Sequence, residues 1–297
     1  MWVAPLAQPP AIPSRAIYTT IDRNFQEQVQ RILGGRKGAI VVLDVHTGAV
    51  RALASGPGFD SNAFVGPAGA VERAQILADP RHPLFNRATQ AAYPTGSVFK
   101  IVTMAAGMEA AGMDPLNTVF YCPGYWEGLG PAARKACWKK EGHGNIRLED
   151  ALTASCNVTF YAVGQTLDGK GQDVLPQFGR GFGFGAPTGL VGLPETGGLI
   201  PDPTWKVNAL GEPWWVGDTI NLAIGQGYLL VTPLQAARAL AAVANGGKLY
   251  RPYIVEGIAA GGGIPRQGAR AEGGCTLPVR PENMAAPQRG VLGGATN

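Results

Sequence analysis

The stretch that decides the fold is AAYPTGSVFKIVTMAAGMEAAG, residues 91–112. Its apolar residues recur with a helical period over Gly96–Ala111, which predicts a helix there. A Pro-Thr-Gly turn precedes this helix, Ser97 lies at its start, and Lys100 follows three residues later. The lysine needs an explanation, because a charged side chain is almost never buried without a partner.

Ser97 and Lys100 have the residue types and the spacing that suit nucleophilic catalysis. Residues three apart share a helix face, and the free N–H groups at a helix start favour negative charge on oxygen. A lysine in a partly dry site has a lowered pKa, so a neutral amine about 3 Å from a hydroxyl can take its proton. The alternative is that Ser97 caps the helix and Lys100 is solvated, because S-x-x-K spacings also arise by chance.

A second short motif, Ser155-Cys156-Asn157, lies in ALTASCNVTFYAVG at the junction of two predicted helices. Class A β-lactamases and penicillin-binding proteins use an S-x-N triplet beside S-x-x-K. On that pattern, the serine relays a proton and the asparagine amide binds the substrate. Taken alone, the triplet is equally typical of a turn capped by Ser155 and Asn157.

Composition limits the classes of protein to which the chain can belong. Its 297 residues suit one large domain or two small ones, and 45% hydrophobic with 15% charged residues excludes a disordered chain. The net charge of +4 includes no dense basic cluster, so we do not expect a nucleic-acid partner. Residues 1–16 are rich in proline and are not a convincing signal peptide. We interpret them as an extended lead-in to one domain over residues 17–297.

The remaining patterns indicate an α+β fold, because strands occur in hairpins and not in regular βαβ units. We predict a short strand and a helix capped by Asp22, a hairpin around Thr47-Gly48, and a helix that begins at Pro233 after the cap Thr232. KLYRPYIVEGI, residues 248–258, is interpreted as an edge strand because of its proline. The other predictions are helices over 148–154 and 158–167, loops over 56–86 and 169–218, and a tail with little periodicity from 259.

The motifs together resemble a known family. YPTGSVFK, TASCNVTFYAVG, GHG, INLAIGQGYLLVTPLQAARALAAVANGG and RPYIV occur in the order seen in class B penicillin-binding proteins. They are most similar to the penicillin-binding protein 2 elongation transpeptidases, over roughly Ile17–Val255. The resemblance implies the fold of serine β-lactamases and penicillin-binding transpeptidases, an antiparallel sheet flanked by helices with a mostly helical subdomain.

The resemblance also implies a reaction, which is acyl transfer from the D-Ala-D-Ala stem peptides of peptidoglycan. Ser97 would attack the carbonyl between the two D-alanines with Lys100 as its base, and Ser155 and Asn157 would relay a proton and bind the substrate. No catalytic cofactor is implied. β-Lactams would acylate the same serine. The implied partners are a membrane glycosyltransferase and elongation proteins, on the periplasmic face of the inner membrane, with the usual anchor not in this chain.

Two other functions remain open on the sequence. The first is a β-lactamase or β-lactam sensor of the same fold, which the IGQG and TPLQ motifs disfavour. The second is a non-catalytic binding partner that keeps Ser97 without chemistry.

The family's third motif, K-[ST]-G, is absent from the sequence. His46-Thr47-Gly48 and the Pro-Thr-Gly triplets that begin at Pro94 and Pro187 lie in the wrong places. In the family, this motif holds the substrate carboxylate, and a backbone N–H near it forms half of the oxyanion hole. We therefore expect a chain that is incomplete at its C-terminus, without the later strands. Because the loss of one oxyanion donor costs on the order of 3 kcal/mol, we expect it to be inactive or nearly so.

Cys122, Cys137, His143 and Cys156 lie within 35 residues, and Cys156 is the middle residue of the second motif. Three thiolates and an imidazole suit a closed tetrahedral zinc site, although the spacing matches no common finger pattern. The alternatives are a Cys122–Cys137 disulfide, buried free thiols, or a role for His143 near the substrate. Some penicillin-binding protein 2 members place a structural zinc at corresponding positions, so the resemblance implies zinc. Cys275 lies in a predicted loop and is not expected to take part.

Three further predictions concern structure. We expect Trp205, Trp214 and Trp215 to pack loops. The Gly225-Gln226-Gly227 turn is expected to allow a close approach to the helix of Ser97, and Asp218 to cap a helix.

Overall fold

The computed structural model of the chain describes residues 15–65, 69–260, 266–267 and 274–296. Residues 1–14 of the predicted lead-in lie outside this range, and the first strand begins at Arg15. Within the described residues, no helix has the length and the apolar character that a membrane crossing would require.

The strands of the described residues are short and pair in antiparallel fashion. In chain order they are β1 (Arg15–Thr19), β2 (Gly38–Leu43), β3 (Val50–Gly56), β4 (Val119–Cys122), β5 (Tyr125–Trp126), β6 (Lys135–Ala136), β7 (Gly144–Arg147), β8 (Val255–Ala260) and β9 (Arg266–Gln267). β1, β8 and β9 form one sheet in the order β1-β8-β9, and three pairs form two-stranded sheets, β2-β3, β4-β7 and β5-β6.

The described residues also form α-helices along the whole chain. They are α1 (Arg23–Leu33), α2 (Ala70–Ala78), α3 (Lys100–Ala111), α4 (Leu148–Thr153), α5 (Asn157–Asp168), α6 (Val174–Gly181), α7 (Pro203–Leu210), α8 (Val216–Leu222), α9 (Pro233–Ala244) and α10 (Ala285–Thr296). This mixture of helices and antiparallel strands confirms the predicted α+β class.

The helix α3 lies at the centre of the main core. Every residue from Lys100 to Met108 is buried, as expected of a helix that is apolar on all sides. α3 packs against α5 and α6, and α5 packs against α8. The β2-β3 hairpin has a smaller core of its own against α1, built from Val29, Leu33, Ala52 and Ala54.

Several local predictions are confirmed, and each depends on a capping or turn residue. The Asp22 carboxylate accepts the N–H of Phe25 at 2.8 Å and begins α1. Thr232 and Gln235 form a capping box at the start of α9. β2 and β3 pair as the predicted hairpin. The predicted Ser97 helix is also present, but its first turn, Gly96–Phe99, is a 3₁₀ helix that leads into α3.

The prediction of loop or tail is wrong for three regions, because each of them contains a helix. The predicted loop over 56–86 contains α2, and that over 169–218 contains α6, α7 and the start of α8. The tail contains α10, in which the glycines bring two helices together. A Cβ on Gly290 would lie 2.6 Å from Leu152 of α4, and one on Gly293 would lie 2.9 Å from Thr153.

The predicted edge strand over 248–258 is also wrong. Pro252 precedes the strand, which begins only at Val255, so the proline removes no hydrogen bond from the ladder. Within the described residues, β8 lies between β1 and β9 and is not an edge.

The tryptophan prediction holds for two of three residues. Trp214 is buried and donates to Thr219 Oγ1 at 2.8 Å, and Trp205 packs on Tyr228 with ring centroids 5.2 Å apart. Trp215 is 61% exposed and packs no loop core. Asp218 is a helix cap as predicted, because its carboxylate accepts the Trp215 N–H at 2.8 Å.

The glycine turn after α8 contacts the 3₁₀ turn of Ser97, as predicted. The Gly96 N–H donates to the Gly225 carbonyl at 2.9 Å. Gly225 has a φ of +71°, and a Cβ there would lie 2.0 Å from the Gly96 carbonyl oxygen. Gly225 therefore meets a conformational and a steric requirement at once.

We predict that Gly225→Ala lowers the free energy of unfolding by about 3 kcal/mol or more, because the methyl group collides with backbone. Gly112→Ala is the matched control, since Gly112 has a φ of +65° but no atom within 4 Å of its Cβ position. It should lose only about 1–2 kcal/mol, the cost of the left-handed backbone alone. Urea unfolding measures both values. Equal losses would contradict the steric argument.

Candidate active site

The structure brings the two short motifs together at one exposed point. Ser97 is exposed, in the 3₁₀ turn that leads into α3. Ser155 and Asn157 are partly buried at the start of α5. The Ser155 hydroxyl donates to Ser97 Oγ at 2.8 Å, so two serines 58 positions apart in the sequence are in direct contact.

Lys100 is fully buried, and its amine is surrounded by acceptors of the second motif. Nζ donates to the Ser155 carbonyl at 2.8 Å, to Ser155 Oγ at 3.0 Å and to Asn157 Oδ1 at 2.6 Å. Three acceptors match the three protons of an ammonium group. A buried cation with this set of partners avoids most of the cost of an unpaired buried charge.

The geometry differs in one respect from the pairing expected on the sequence. The S-x-x-K spacing alone predicts a direct contact between the Lys100 amine and the Ser97 hydroxyl. Within the described residues, the hydrogen bonds of Lys100 Nζ all go to Ser155 and Asn157, and Ser155 Oγ links Nζ to Ser97 Oγ. The connection between base and hydroxyl therefore runs through the second serine.

Burial lowers the pKa of Lys100 from 10.5 to about 8, and the nearby Cys156 and Cys137 thiols oppose this shift in part. The Phe160 ring, 5.6 Å from Nζ, also faces the amine. With a pKa of about 8, roughly a tenth of the molecules carry a neutral amine at pH 7. The site therefore holds a proton acceptor near physiological pH without a histidine.

Ser155 has an unusual backbone conformation. Its φ is +50°, in the left-handed region that non-glycine residues rarely occupy. Such a residue costs on the order of 1–3 kcal/mol and persists where its surroundings fix it. Here the Lys100 amine binds its carbonyl, its N–H donates to Leu152 O at 3.1 Å, and the next N–H, of Cys156, donates to Ala151 O at 2.9 Å.

Cys122, Cys137, His143 and Cys156 form one cluster directly behind this motif. Their candidate ligand atoms all lie within 4.8 Å of one another, and His143 Nδ1 is 3.5 Å from Cys122 Sγ and 3.7 Å from Cys137 Sγ. The three cysteines are buried and free, so the alternative of a Cys122–Cys137 disulfide is not formed. His143 belongs to this cluster, which disfavours a role beside the substrate.

The chemistry of the four side chains suits a closed zinc site. A tetrahedral zinc with bonds of about 2.3 Å places its sulfur ligands about 3.8 Å apart, within the observed spread. Burial raises the pKa of the Cys137 thiol, but the backbone N–H groups of Lys139, Asn157 and Val158 outweigh this and lower it overall. Burial lowers the pKa of His143, which favours the neutral imidazole that a metal ligand requires. Cys275 is exposed and outside the cluster.

Two side chains that the sequence did not single out lie beside the same region. Lys135 of β6 donates from Nζ to Asn221 Oδ1 of α8 at 2.8 Å. No sequence motif marks either residue, and 86 positions separate them. Only the folded arrangement of β6 and α8 identifies the pair.

Comparison with known proteins gives consistent matches. Residues 38–285 match the family model described as the penicillin binding protein transpeptidase domain. The chain is 39% identical over 249 residues to the peptidoglycan D,D-transpeptidase MrdA of Haemophilus influenzae, which covers 84% of this chain. It is 37% identical over 246 residues to that of Escherichia coli, which covers 83%. The chain spans 38% of the length of each of these two relatives.

Solved structures agree with the sequence matches. Pseudomonas aeruginosa PBP2 in complex with WCK 5153 superposes with a TM-score of 0.82 at 33% identity, over 96% of this chain and 61% of that one. Helicobacter pylori PBP2 superposes with a TM-score of 0.83 at 29% identity, over 93% of this chain and 50% of that one. A chain from a complex between PBP2 and MreC of the same organism superposes with a TM-score of 0.80 at 29% identity, over 93% of this chain and 49% of that one.

We predict that Lys100 titrates near pH 8, because burial disfavours its charged form. Lys206 is a matched control, since it is 3% exposed but its hydrogen bond to Asp218 raises its pKa. NMR of lysines labelled with ¹³C at Cε, assigned through Lys100→Arg and Lys206→Arg, measures both. A Lys100 signal that titrates together with those of exposed lysines would contradict the prediction.

Proposed function

This chain belongs to the penicillin-binding protein transpeptidase domain family, and we propose that it forms the acyl-transfer site of a peptidoglycan D,D-transpeptidase of cell-wall elongation. The observation that carries the proposal is the continuous set of hydrogen bonds from Ser97 through Ser155 to the buried Lys100. The transpeptidase names of the matched relatives also favour a synthase over a β-lactamase or a non-catalytic partner. Ser97, Lys100, Ser155 and Asn157 are the residues to which we assign the chemistry.

In the proposed first step, Ser97 Oγ attacks the carbonyl between the two terminal D-alanines of a stem peptide. The Ser97 proton passes to Ser155 Oγ, whose own proton passes to the neutral amine of Lys100. Lys100 then returns a proton through Ser155 Oγ to the nitrogen of the leaving D-Ala, the C–N bond breaks, and an ester remains on Ser97. In the second step, an amine of a neighbouring strand attacks the ester and the Ser97 hydroxyl is restored.

Asn157 has a divided role in this scheme. Its Oδ1 accepts a hydrogen bond from Lys100 at 2.6 Å, which leaves the amide nitrogen to donate to a carbonyl of the peptide. When Lys100 has lost a proton, it can donate to only two of its three acceptors. The contacts around Nζ must therefore rearrange at each proton transfer, and Ser155 Oγ is the acceptor whose role changes.

We further propose that Cys122, Cys137, His143 and Cys156 hold a structural zinc ion. Bound zinc would supply four fixed bonds to a region of short strands and turns. Since Cys156 lies between Ser155 and Asn157 in the sequence, a ligand at this position would fix the backbone of the second motif. The chemistry on the substrate would remain with Ser97 and Lys100.

The ligands, the cellular location and the partners that we propose follow from the family. The ligands are D-Ala-D-Ala stem peptides and β-lactams, and no catalytic cofactor is required. The site of action is the cell envelope, on the periplasmic face of the inner membrane. The complex between PBP2 and MreC from Helicobacter pylori supports elongation proteins as partners, together with a membrane glycosyltransferase.

We predict that a labelled penicillin acylates the chain at Ser97, and that Ser97→Ala abolishes the label. Ser61→Ala is the control, because Ser61 is also exposed in a 3₁₀ turn but has no lysine one turn later. The sequence lacks K-[ST]-G, so acylation should be about 10²–10³ slower than in the transpeptidase of Haemophilus influenzae. The rate should increase with pH and level off above about 8, as Lys100 loses its proton.

Mass spectrometry of the labelled chain identifies the acylated residue, and stopped-flow or gel assays measure the acylation rate. A label on another residue, or an equal loss in the Ser61 variant, would contradict the assignment of Ser97. Rapid stoichiometric acylation would instead contradict the predicted effect of the absent third motif.

We predict that the purified chain contains one equivalent of zinc and that Cys137→Ser loses it, since three ligands bind zinc far more weakly than four. Cys275→Ser should retain the metal, because Cys275 lies outside the cluster. Metal analysis combined with thiol counting measures both. A chain without metal that has four reactive thiols, or a disulfide among the three cluster cysteines, would contradict the zinc proposal.

A further inference from the structure

The short hairpin β5-β6 directs Lys135 toward α5 and α8. Trp126 and Lys135 are directly paired in this hairpin, and paired residues of antiparallel strands project to the same face. That face covers α5. The Trp126 ring lies 5.7 Å from the Tyr161 ring, and Lys135 Nζ lies 5.9 Å from the same Tyr161 ring.

Tyr161 relates this position to the proposed catalytic residues. Asn157 and Tyr161 are four residues apart on α5, so they lie on one face of the helix, about 6 Å apart along its axis. The Lys135 amine therefore lies near the residue that is one helical turn after Asn157. It extends across α5 to Asn221, near the end of α8.

Asn221 is connected to the turn of Ser97 from the other side. The Gln226 N–H donates to the Asn221 carbonyl at 2.9 Å. The Gln226 amide nitrogen lies 3.6 Å from the position that a Cβ on Gly96 would occupy. Asn221 is thus connected through Gln226 to the turn that holds Ser97, which follows Gly96 in the chain.

The Lys135 amine has unused hydrogen-bonding capacity. Lys135 is partly buried, and its Nζ makes one hydrogen bond within the described residues, to Asn221 Oδ1. It forms no ion pair with a carboxylate in the described part of the chain. Its neighbour Arg134, by contrast, pairs with Glu127. Two protons of the ammonium remain for another acceptor.

Asn221 adds a second donor beside this cation. Its Oδ1 is occupied by Lys135, and its amide nitrogen donates to no acceptor in the described part of the chain. Asn221 also lines a cavity of about 260 Å³ together with Gln226 and Asp218. The Asp218 carboxylate is paired with the Lys206 amine at 2.7 Å, and Glu212 lies 3.7 Å from the same amine, so Lys206 offsets part of the negative charge there.

We propose that the Lys135 ammonium and the Asn221 side-chain amide bind a carboxylate of the stem peptide, in the part that precedes D-Ala-D-Ala. A carboxylate has two acceptor oxygens, which match one cationic and one neutral donor. The partial burial of Lys135 makes this contact stronger than one at an open surface. The inference rests on the proposed function, because it takes the ligand to be the peptide that reaches Ser97.

The experiment compares two peptides that differ in one carboxylate. The probes are L-Ala-γ-D-Glu-L-Lys-D-Ala-D-Ala and the same peptide with D-isoglutamine, in which the α-carboxyl of the glutamate is amidated. Binding is measured by NMR titration at low salt on the Ser97→Ala chain, which cannot be acylated at that position. We expect the free acid to bind about five- to tenfold more tightly than the amide, and the difference to shrink at high salt.

Variants on the same Ser97→Ala chain assign the preference to Lys135. Lys135→Met should remove it, Lys135→Arg should keep most of it, and Lys139→Met should leave it unchanged. Lys139 is the matched control, because it is an exposed lysine on the same segment and its loss changes the net charge equally. Thermal unfolding of each variant excludes a general loss of folding.

The outcomes separate the inference from the proposed function. A preference that survives in Lys135→Met, or that disappears equally in Lys139→Met, would overturn the inference. So would equal affinity for the two peptides, or no binding of either, in the Ser97→Ala chain itself. Acylation of the unmodified chain by penicillin tests the proposed function independently of these titrations.

Discussion

The buried amine of Lys100 is the interaction on which the rest of the site depends. It lies on a helix that is buried on all sides and meets three oxygens of a different helix start, two from Ser155 and one from Asn157. These contacts offset the loss of water around the cation and fix α3 relative to α5. The same burial lowers the pKa of the amine to about 8. One structural constraint therefore gives the site its geometry and its proton acceptor.

The surrounding structure holds this arrangement from two sides. On one side, the cysteine and histidine cluster includes Cys156, directly next to Ser155 with its left-handed backbone. On the other side, Gly225 contacts the turn of Ser97 so closely that no side chain fits. Each of these regions has little regular secondary structure of its own. The side-chain cluster and the glycine contact therefore order segments that lack the regular backbone hydrogen bonds of a helix or a sheet.

The sequence was sufficient for the parts of the site that local chemistry determines. The two residues of S-x-x-K and the two of S-x-N are close in the chain, so local structure alone brings each pair together. Residue type suggested the cysteine and histidine cluster, but only the fold brings its four side chains within 4.8 Å of one another. The link through Ser155 could not be predicted, because it depends on how α3 and α5 meet. α10 was missed because Gly290 and Gly293 look like loop residues, whereas they allow close packing on α4. The pair of Lys135 and Asn221 depends entirely on tertiary structure, since 86 positions separate its members.

A crystal structure of the chain after reaction with benzylpenicillin is the decisive test of the roles assigned to Ser97 and Lys100, and of the burial that supports this assignment. Electron density should be continuous with Ser97 Oγ, and Lys100 Nζ should remain buried and within hydrogen-bond distance of Ser155 Oγ and Asn157 Oδ1. A Lys100 side chain turned into solvent, or a Ser97 that remains free while another residue carries the acyl group, would contradict this assignment.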